Sequence, residues 1–276
     1  MHSTVYHIKS EALKPYVQYI LFNRVLPNAP SARVISYPNT NYCLGVQHGS
    51  CMRVDANGLR AHAQPGVHAY VSGLYIKPHV FCEHESLDEI CIDFTMAGYQ
   101  RFFQKVAGCY QFGADILPTH FGPQAVPFFE YVFQLPDLEV RGQGVEQFLL
   151  FRLRQLQQHV QDYQYLLDCD LGEFSAGALA AQLGLSERSM QRLFRKHFAV
   201  TPKQYLRIQR FRAVLSTIRS APTAVCWEQL AYRFGYFDYS HFRRDILQLT
   251  GLTPSAFFGS LSLIDNTVTV GTDDLN

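Results

Sequence analysis

Between Ser186 and Phe198 the chain reads SERSMQRLFRKHF, in which Arg188, Gln191, Arg192, Arg195 and Lys196 recur at short, helix-like intervals. On an α-helix these positions fall on the faces left open when Met190, Leu193, Phe194 and Phe198 turn toward a core. The exposed set has the chemistry of duplex recognition: arginine pairs bidentately with guanine, glutamine with adenine, and either cation with a phosphate oxygen. A second stretch, RFGYFDYSHFRRD from Arg233 to Asp245, crowds five aromatic rings, a histidine and three arginines into thirteen residues. Its expected outward set is Tyr239, Ser240, His241, Arg243 and Arg244, while Phe234, Tyr236, Phe242 and Ile246 face inward.

The two stretches are copies of one unit with an offset of 52 residues: Thr201-Pro202 recurs as Thr253-Pro254, Tyr205-Leu206 as Phe257-Phe258, Met190 as Phe242, Arg192 as Arg244 and Phe194 as Ile246. Each copy has the order of a helix-turn-helix. In the first, a short helix carries Ala180 where two helices must approach closely, Gly184 makes the turn, and Ser186 caps the second helix. In the second, Ala231 and Gly235 take the places of Ala180 and Gly184, with a turn one residue longer. Between them, TPKQYLRIQRFRAVLSTIRS begins with Thr201 as N-cap and Pro202 at the first helical position, then runs about sixteen residues without a breaker, or roughly 24 Å. With the width of its neighbours, such a spacer approaches the 34 Å repeat of the major groove.

Charge is divided to match. Residues 172–260 hold 12 Lys and Arg against 5 Asp and Glu, residues 1–171 hold 12 against 15, and the segment from 261 carries 3 Asp, so a net charge of +1 conceals one strongly basic third. That asymmetry points to a polyanionic partner. The basic third could alternatively be a merely solvated surface, which would leave the repeat, its turns and its caps a coincidence.

The first part reads as β-rich, with SARVISY, NYCLGVQ, GVHAYVSGLY and DEICIDF bounded by turn formers. From about residue 96 the pattern turns helical: TMAGYQRFFQKV, VPFFEYVFQL and GVEQFLLFRLRQLQQHVQD. The last sets Val145, Phe148, Leu149, Leu153, Leu156 and Val160 on one stripe, for packing within its own domain or for a dimer seam. The expected fold class is α+β: an N-terminal β-rich barrel or sheet domain with C-terminal helices over 1–165, an all-α domain of two helix-turn-helix units joined by a long helix over 170–260, and a loose tail over 261–276.

His79, Cys82 and His84 have an H-x2-C-x-H spacing that is not diagnostic of a metal, with His62 and His68 as further candidates; no metal site or cofactor is expected. Seven cysteines without a CxxC pair read as mostly buried thiols, and the acidic run at Glu83, Glu85, Asp88 and Glu89 as a solvated turn. A metal- or thiol-responsive regulator using N-terminal His and Cys, or an enzyme domain fused to a DNA-binding module, are the alternatives; the expectation is no enzyme. Neither a signal peptide nor a membrane span is visible, so the expected location is the cytoplasm.

In LAAQLGLSERSMQRLFRKHF, TPKQYLRIQRFRAV, LAYRFGYFDYSHFRRDI and GLTPSAFF, taken in order, the chain resembles the DNA-binding domain of the AraC/XylS family of transcription regulators. The resemblance implies that Arg188, Gln191 and Arg192 contact bases and phosphates for the first unit and Ser240, His241, Arg243 and Arg244 for the second, which in the family often binds mainly through the backbone. It implies sequence-specific binding of double-stranded DNA, activation beside RNA polymerase, and an N-terminal domain that senses a small-molecule effector or makes a homodimer. Two departures stand out. Ala199 occupies a position where the family usually has glycine, and would be strained at φ > 0. Asp245-Ile246-Leu247 replaces an apolar-Phe-Lys run and lowers the basicity of the second unit.

Overall fold

A computed structural model of the chain describes residues 2–26, 32–55, 58–83, 86–103, 110–156, 175–220, 226–264 and 268–272. The first part supplies β1 (His2–His7), β2 (Val17–Val25), β3 (Ala32–Ser36), β4 (Tyr42–Asp55), β5 (Gly58–Ser72), β6 (His79–Glu83), β7 (Leu87–Phe94) and β8 (Tyr110–Phe112). Joined by β9 (Leu261–Ile264) and β10 (Val268–Thr272), they form one sheet in the order β1-β2-β7-β4-β5-β6-β3-β10-β9, with β8 beside β5. Pairing is antiparallel except for a short parallel register between β5 and β6. The end strands β1 and β9 meet, so the sheet curls round on itself. The segment expected as a loose tail is thus corrected: residues 261–264 and 268–272 pair with each other and with β3.

Strand alternation gives this sheet two buried faces of opposite character. Ile20 and Phe22 of β2, Ile90, Ile92 and Phe94 of β7, and Tyr42, Leu44 and Val46 of β4 make the apolar face. Against it pack the helices α1 (Met96–Phe102), α2 (Ile116–Phe121), α3 (Ala125–Gln134) and α4 (Leu138–Gln155). Two glycines allow close approach: a Cβ at Gly98 would lie 1.8 Å from the Tyr16 carbonyl oxygen, and one at Gly142 would lie 2.2 Å from the Tyr6 ring. Of the expected α4 stripe, Val145 and Leu149 are buried in this core and Phe148, Leu153 and Leu156 pack partly against it; Val160 and the expected boundary at 162–170 lie outside the described residues.

The opposite face is polar and still buried. Glu89 accepts from Asn23 Nδ2 at 2.9 Å, Gln47 Nε2 at 2.8 Å and the Tyr70 hydroxyl at 3.1 Å. Gly45 leaves room for the Tyr70 ring, which a Cβ would meet at 2.2 Å. Asp88, on the apolar side of the same strand, pairs with the buried Arg141 at 2.8 Å. The solvated-turn reading of this run is therefore corrected for Asp88 and Glu89: both lie on a strand, Glu89 buried and Asp88 half-buried, and each carboxylate is met by donors. Of the described thiols Cys91 is buried, Cys43 and Cys51 are half-buried and Cys226 is exposed; the side chains of Cys82, Cys109 and Cys169 lie outside the described residues.

Asp93 lies on the polar face, 5% exposed. Burial pushes its pKa up to about 7, while hydrogen bonds from Asn41 and Tyr19 and the charge of Arg212 act against the rise. A carboxyl whose folded pKa exceeds its unfolded value near 3.9 contributes most at low pH and loses that contribution as pH climbs through the folded value. Asp93→Asn is expected to flatten the fall in stability between about pH 4 and pH 7, read as the difference in urea midpoint between variant and wild type across that window.

Candidate DNA interface

The basic third folds as two bent helix pairs on one rod. The first is α5 (Ala176–Gln182) and α6 (Glu187–Phe198), the rod is α7 (Pro202–Ser220), and the second pair is α8 (Trp227–Arg233) and α9 (Tyr239–Thr250), followed by α10 (Pro254–Gly259). The turns share their glycine, their closing hydrogen bond and their capping device, the second with one residue more before its cap. Gly184 and Gly235 adopt φ of 60° and 69°, a region that glycine enters without steric cost. The next residue of each turn, Leu185 or Tyr236, donates back to the carbonyl of Ala180 or Ala231 at 2.9 and 3.0 Å. Ser186 then caps α6 by accepting from Ser189 N, and Asp238 caps α9 by accepting from His241 N. The rod begins with a capping box in which Thr201 Oγ1 accepts from Gln204 N at 3.2 Å and Gln204 Oε1 accepts from Thr201 N at 2.8 Å. Its 19 residues span about 28 Å, longer than the sixteen residues expected.

Within α6, Met190, Phe194 and Phe198 are buried and Leu193 half-buried, while Arg188, Gln191, Arg192, Arg195 and Lys196 are all exposed. Within α9, Phe242 and Ile246 are buried, and Ser240, His241, Arg243 and Arg244 are exposed. Tyr239 departs from its expected outward place: it is half-buried, packs on the core of its unit and sets its ring 6.2 Å from that of Phe242. The first position of α9 lies over the hydrophobic seam, which accounts for the difference. His79, the described member of the H-x2-C-x-H set, stacks on Tyr75 and hydrogen-bonds the Tyr110 hydroxyl; the side chains of Cys82 and His84 lie outside the described residues. Among the described residues no helix is long and apolar enough to cross a membrane.

Asp245 has a role that its charge alone does not reveal. It turns inward, 9% exposed, where Arg207 of α7 donates to it through Nε and the Tyr236 hydroxyl donates to Oδ2 at 3.0 Å. Arg207 also donates to Gln248 Oε1 at 2.7 Å. The Arg210 guanidinium sits 4.8 Å from the centre of the Tyr236 ring. Burial and the adjoining carboxylate hold the Tyr236 hydroxyl protonated far above its ordinary range. Asp245 thus removes no positive charge from the outer face; it ties α9 to the rod.

Both units are also joined to the N-terminal part. Met190, Phe194, Phe198, Tyr205 and Leu206 belong to the same apolar cluster as Tyr42 and Tyr99. Tyr37, just beyond β3, is buried among Phe211, Phe242 and Phe257 and meets Phe257 edge-on at 4.7 Å.

Residues 179–260 match a protein-family profile described as "Helix-turn-helix domain". A comparison with curated proteins gave no match. Among solved structures, ToxT from Vibrio cholerae is similar at 11% identity with a TM-score of 0.47, over 87% of this chain and 98% of that one. The unsaturated fatty acid bound wild-type ToxT from Vibrio cholerae strain SCE256 is similar at 11% identity with a TM-score of 0.43, over 86% and 94%. ToxT from Vibrio cholerae O395 bound to (E)-4-(8-methylnaphthalen-1-yl)but-3-enoic acid gives 10% and 0.45, over 94% and 98%. The C-terminal third is a helix-turn-helix DNA-binding domain. It is of the AraC type, and the chain that carries it is a DNA-binding transcription regulator.

Two substitutions test this framework. Ala199, which closes α6 at φ 56°, has the left-handed strain that its sequence position raised, and Ala199→Gly is expected to stabilise the protein by about 0.5 kcal/mol in chemical unfolding. Asp245→Ala leaves Arg207 and the buried Tyr236 hydroxyl without their shared acceptor. It is expected to cost about 2 kcal/mol, a figure discounted because Arg207 retains access to water.

Proposed function

We propose that the chain binds a specific operator through both helix-turn-helix units at once and activates transcription there beside RNA polymerase, with its N-terminal sheet domain as the controlling part. The observation that carries this reading is the pair of equivalently capped helices, α6 and α9, each presenting an exposed basic face and an apolar one committed to the core. Arg188, Gln191 and Arg192 lie in the first two turns of α6, where a recognition helix reads base edges, and Arg195 and Lys196 follow toward the phosphates. In α9, Ser240, His241, Arg243 and Arg244 hold the corresponding places, and Tyr239 supports them from below. A rod of about 28 Å, plus the breadth of the helices at its ends, suits two successive turns of one groove.

Control would reach these units through α7. Arg212 on that helix acts electrostatically on Asp93, Tyr19 and Tyr75 of the N-terminal part, and Tyr37 enters the core of the second unit. An effector or a second copy of the chain that shifts the sheet would therefore shift the rod.

The test is selection of duplexes from a random pool by the intact protein, followed by binding titrations on the enriched sequence. Arg192→Ala is expected to weaken binding by about 1–3 kcal/mol, and wild-type affinity to fall steeply with rising salt as counterions are released. Equal affinity for enriched and shuffled duplexes would overturn the reading.

A further inference from the structure

The two turns are not identical. Gly184 and Gly235 are offset by 51 residues, as are the hydrogen bonds from Leu185 and Tyr236 that close each turn, whereas the capping residues Ser186 and Asp238 are offset by 52. The extra residue lies between Tyr236 and Asp238, and it is Phe237. Its side chain is thrown outward, 84% exposed, more than any other large apolar side chain among the described residues. A lone apolar residue on a surface needs no explanation, but this one stands immediately before the cap of a recognition helix.

The rest of the second face has changed in the same sense. At the 52-residue offset, Arg195 and Lys196 of α6 become Leu247 and Gln248 of α9. Leu247 is 39% exposed, and Gln248 is drawn to Arg207. The second unit has lost two cations from the face it shares with Ser240 and Arg244, one to an apolar side chain and one to an amide held by the rod. What surrounds Phe237 still favours a polyanion: Arg233, His241, Arg243 and Arg244 are exposed. The nearby acids are occupied, Asp238 with the His241 amide and Asp245 with Arg207.

Resting on the operator-binding reading above, we infer that Phe237 is a specificity-determining residue that packs against the C5-methyl group of a thymine in the half-site taken by the second unit. The thymine methyl is the apolar feature of the major groove, and an aromatic ring is among the side chains that can meet it. The second unit thereby gains sequence preference where it has fewer cations with which to hold phosphates.

Titrations with intact protein on the enriched duplex test this, with each thymine of that half-site replaced in turn by deoxyuridine, which lacks only the methyl group. Wild type is expected to lose about three- to tenfold in affinity at one position. Phe237→Ser, whose exposed site leaves the thermal midpoint unchanged, is expected to bind the natural duplex more weakly by a similar factor and to be indifferent to deoxyuridine at that position. Loss of affinity by both proteins alike at every thymine overturns the inference while leaving operator binding intact. So does a Phe237→Ser variant with unaltered DNA affinity and lost transcription in vitro, which assigns the ring to a protein contact instead. Failure of the wild type to prefer any duplex overturns the underlying reading, and this one with it.

Discussion

The placement of the second recognition helix depends on a carboxylate hidden from solvent. Asp245 receives donors from two directions, the Arg207 guanidinium on α7 and the Tyr236 hydroxyl in the turn of its own unit. A buried carboxylate is costly unless such donors surround it, so the three groups hold one another in place, and the angle of α9 to the rod follows. The first unit is secured differently: Met190, Phe194 and Phe198 join an apolar cluster that continues into the N-terminal part. One recognition helix is thus anchored mainly by hydrophobic packing and the other by packing plus a directional polar clamp.

Much of the C-terminal third was legible because its signals are local. Gly184, Gly235 and Ser186 act within a few residues of themselves, and a helical period sorts Phe194 from Arg195 without knowledge of the rest of the fold. Even the strain at Ala199 followed from one residue type at one turn. In the sequence Asp245 reads as a loss of surface charge, because its partner Arg207 lies 38 residues away. Phe237 is, in the sequence, one more aromatic among five, and its singular place shows only in the hydrogen bonds that close the two turns.

In the N-terminal part, the strands within SARVISY, NYCLGVQ, GVHAYVSGLY and DEICIDF were recognisable, yet β2 was not. VQYILFNRV is buried on both sides and so lacks the alternation that marks a half-exposed strand. The polar lining around Glu89 was invisible for a related reason: Asn23, Gln47 and Tyr70 come from three other strands and look, one at a time, like ordinary surface residues. Strands β9 and β10 are short segments from the far end of the chain, and their place beside β3 rests on pairing at long range.

The ring of Tyr37 bears on how such a molecule can be taken apart. The second unit completes its interior with a residue some two hundred positions upstream, so the DNA-reading portion is no interchangeable cassette. Grafted onto a foreign sensor, it would carry a vacancy at its centre, and the graft would succeed only if the new neighbour offered an aromatic plug of similar size. The N-terminal part and the second helix-turn-helix unit therefore share one interior, and a change of ring size at either side must be met at the other.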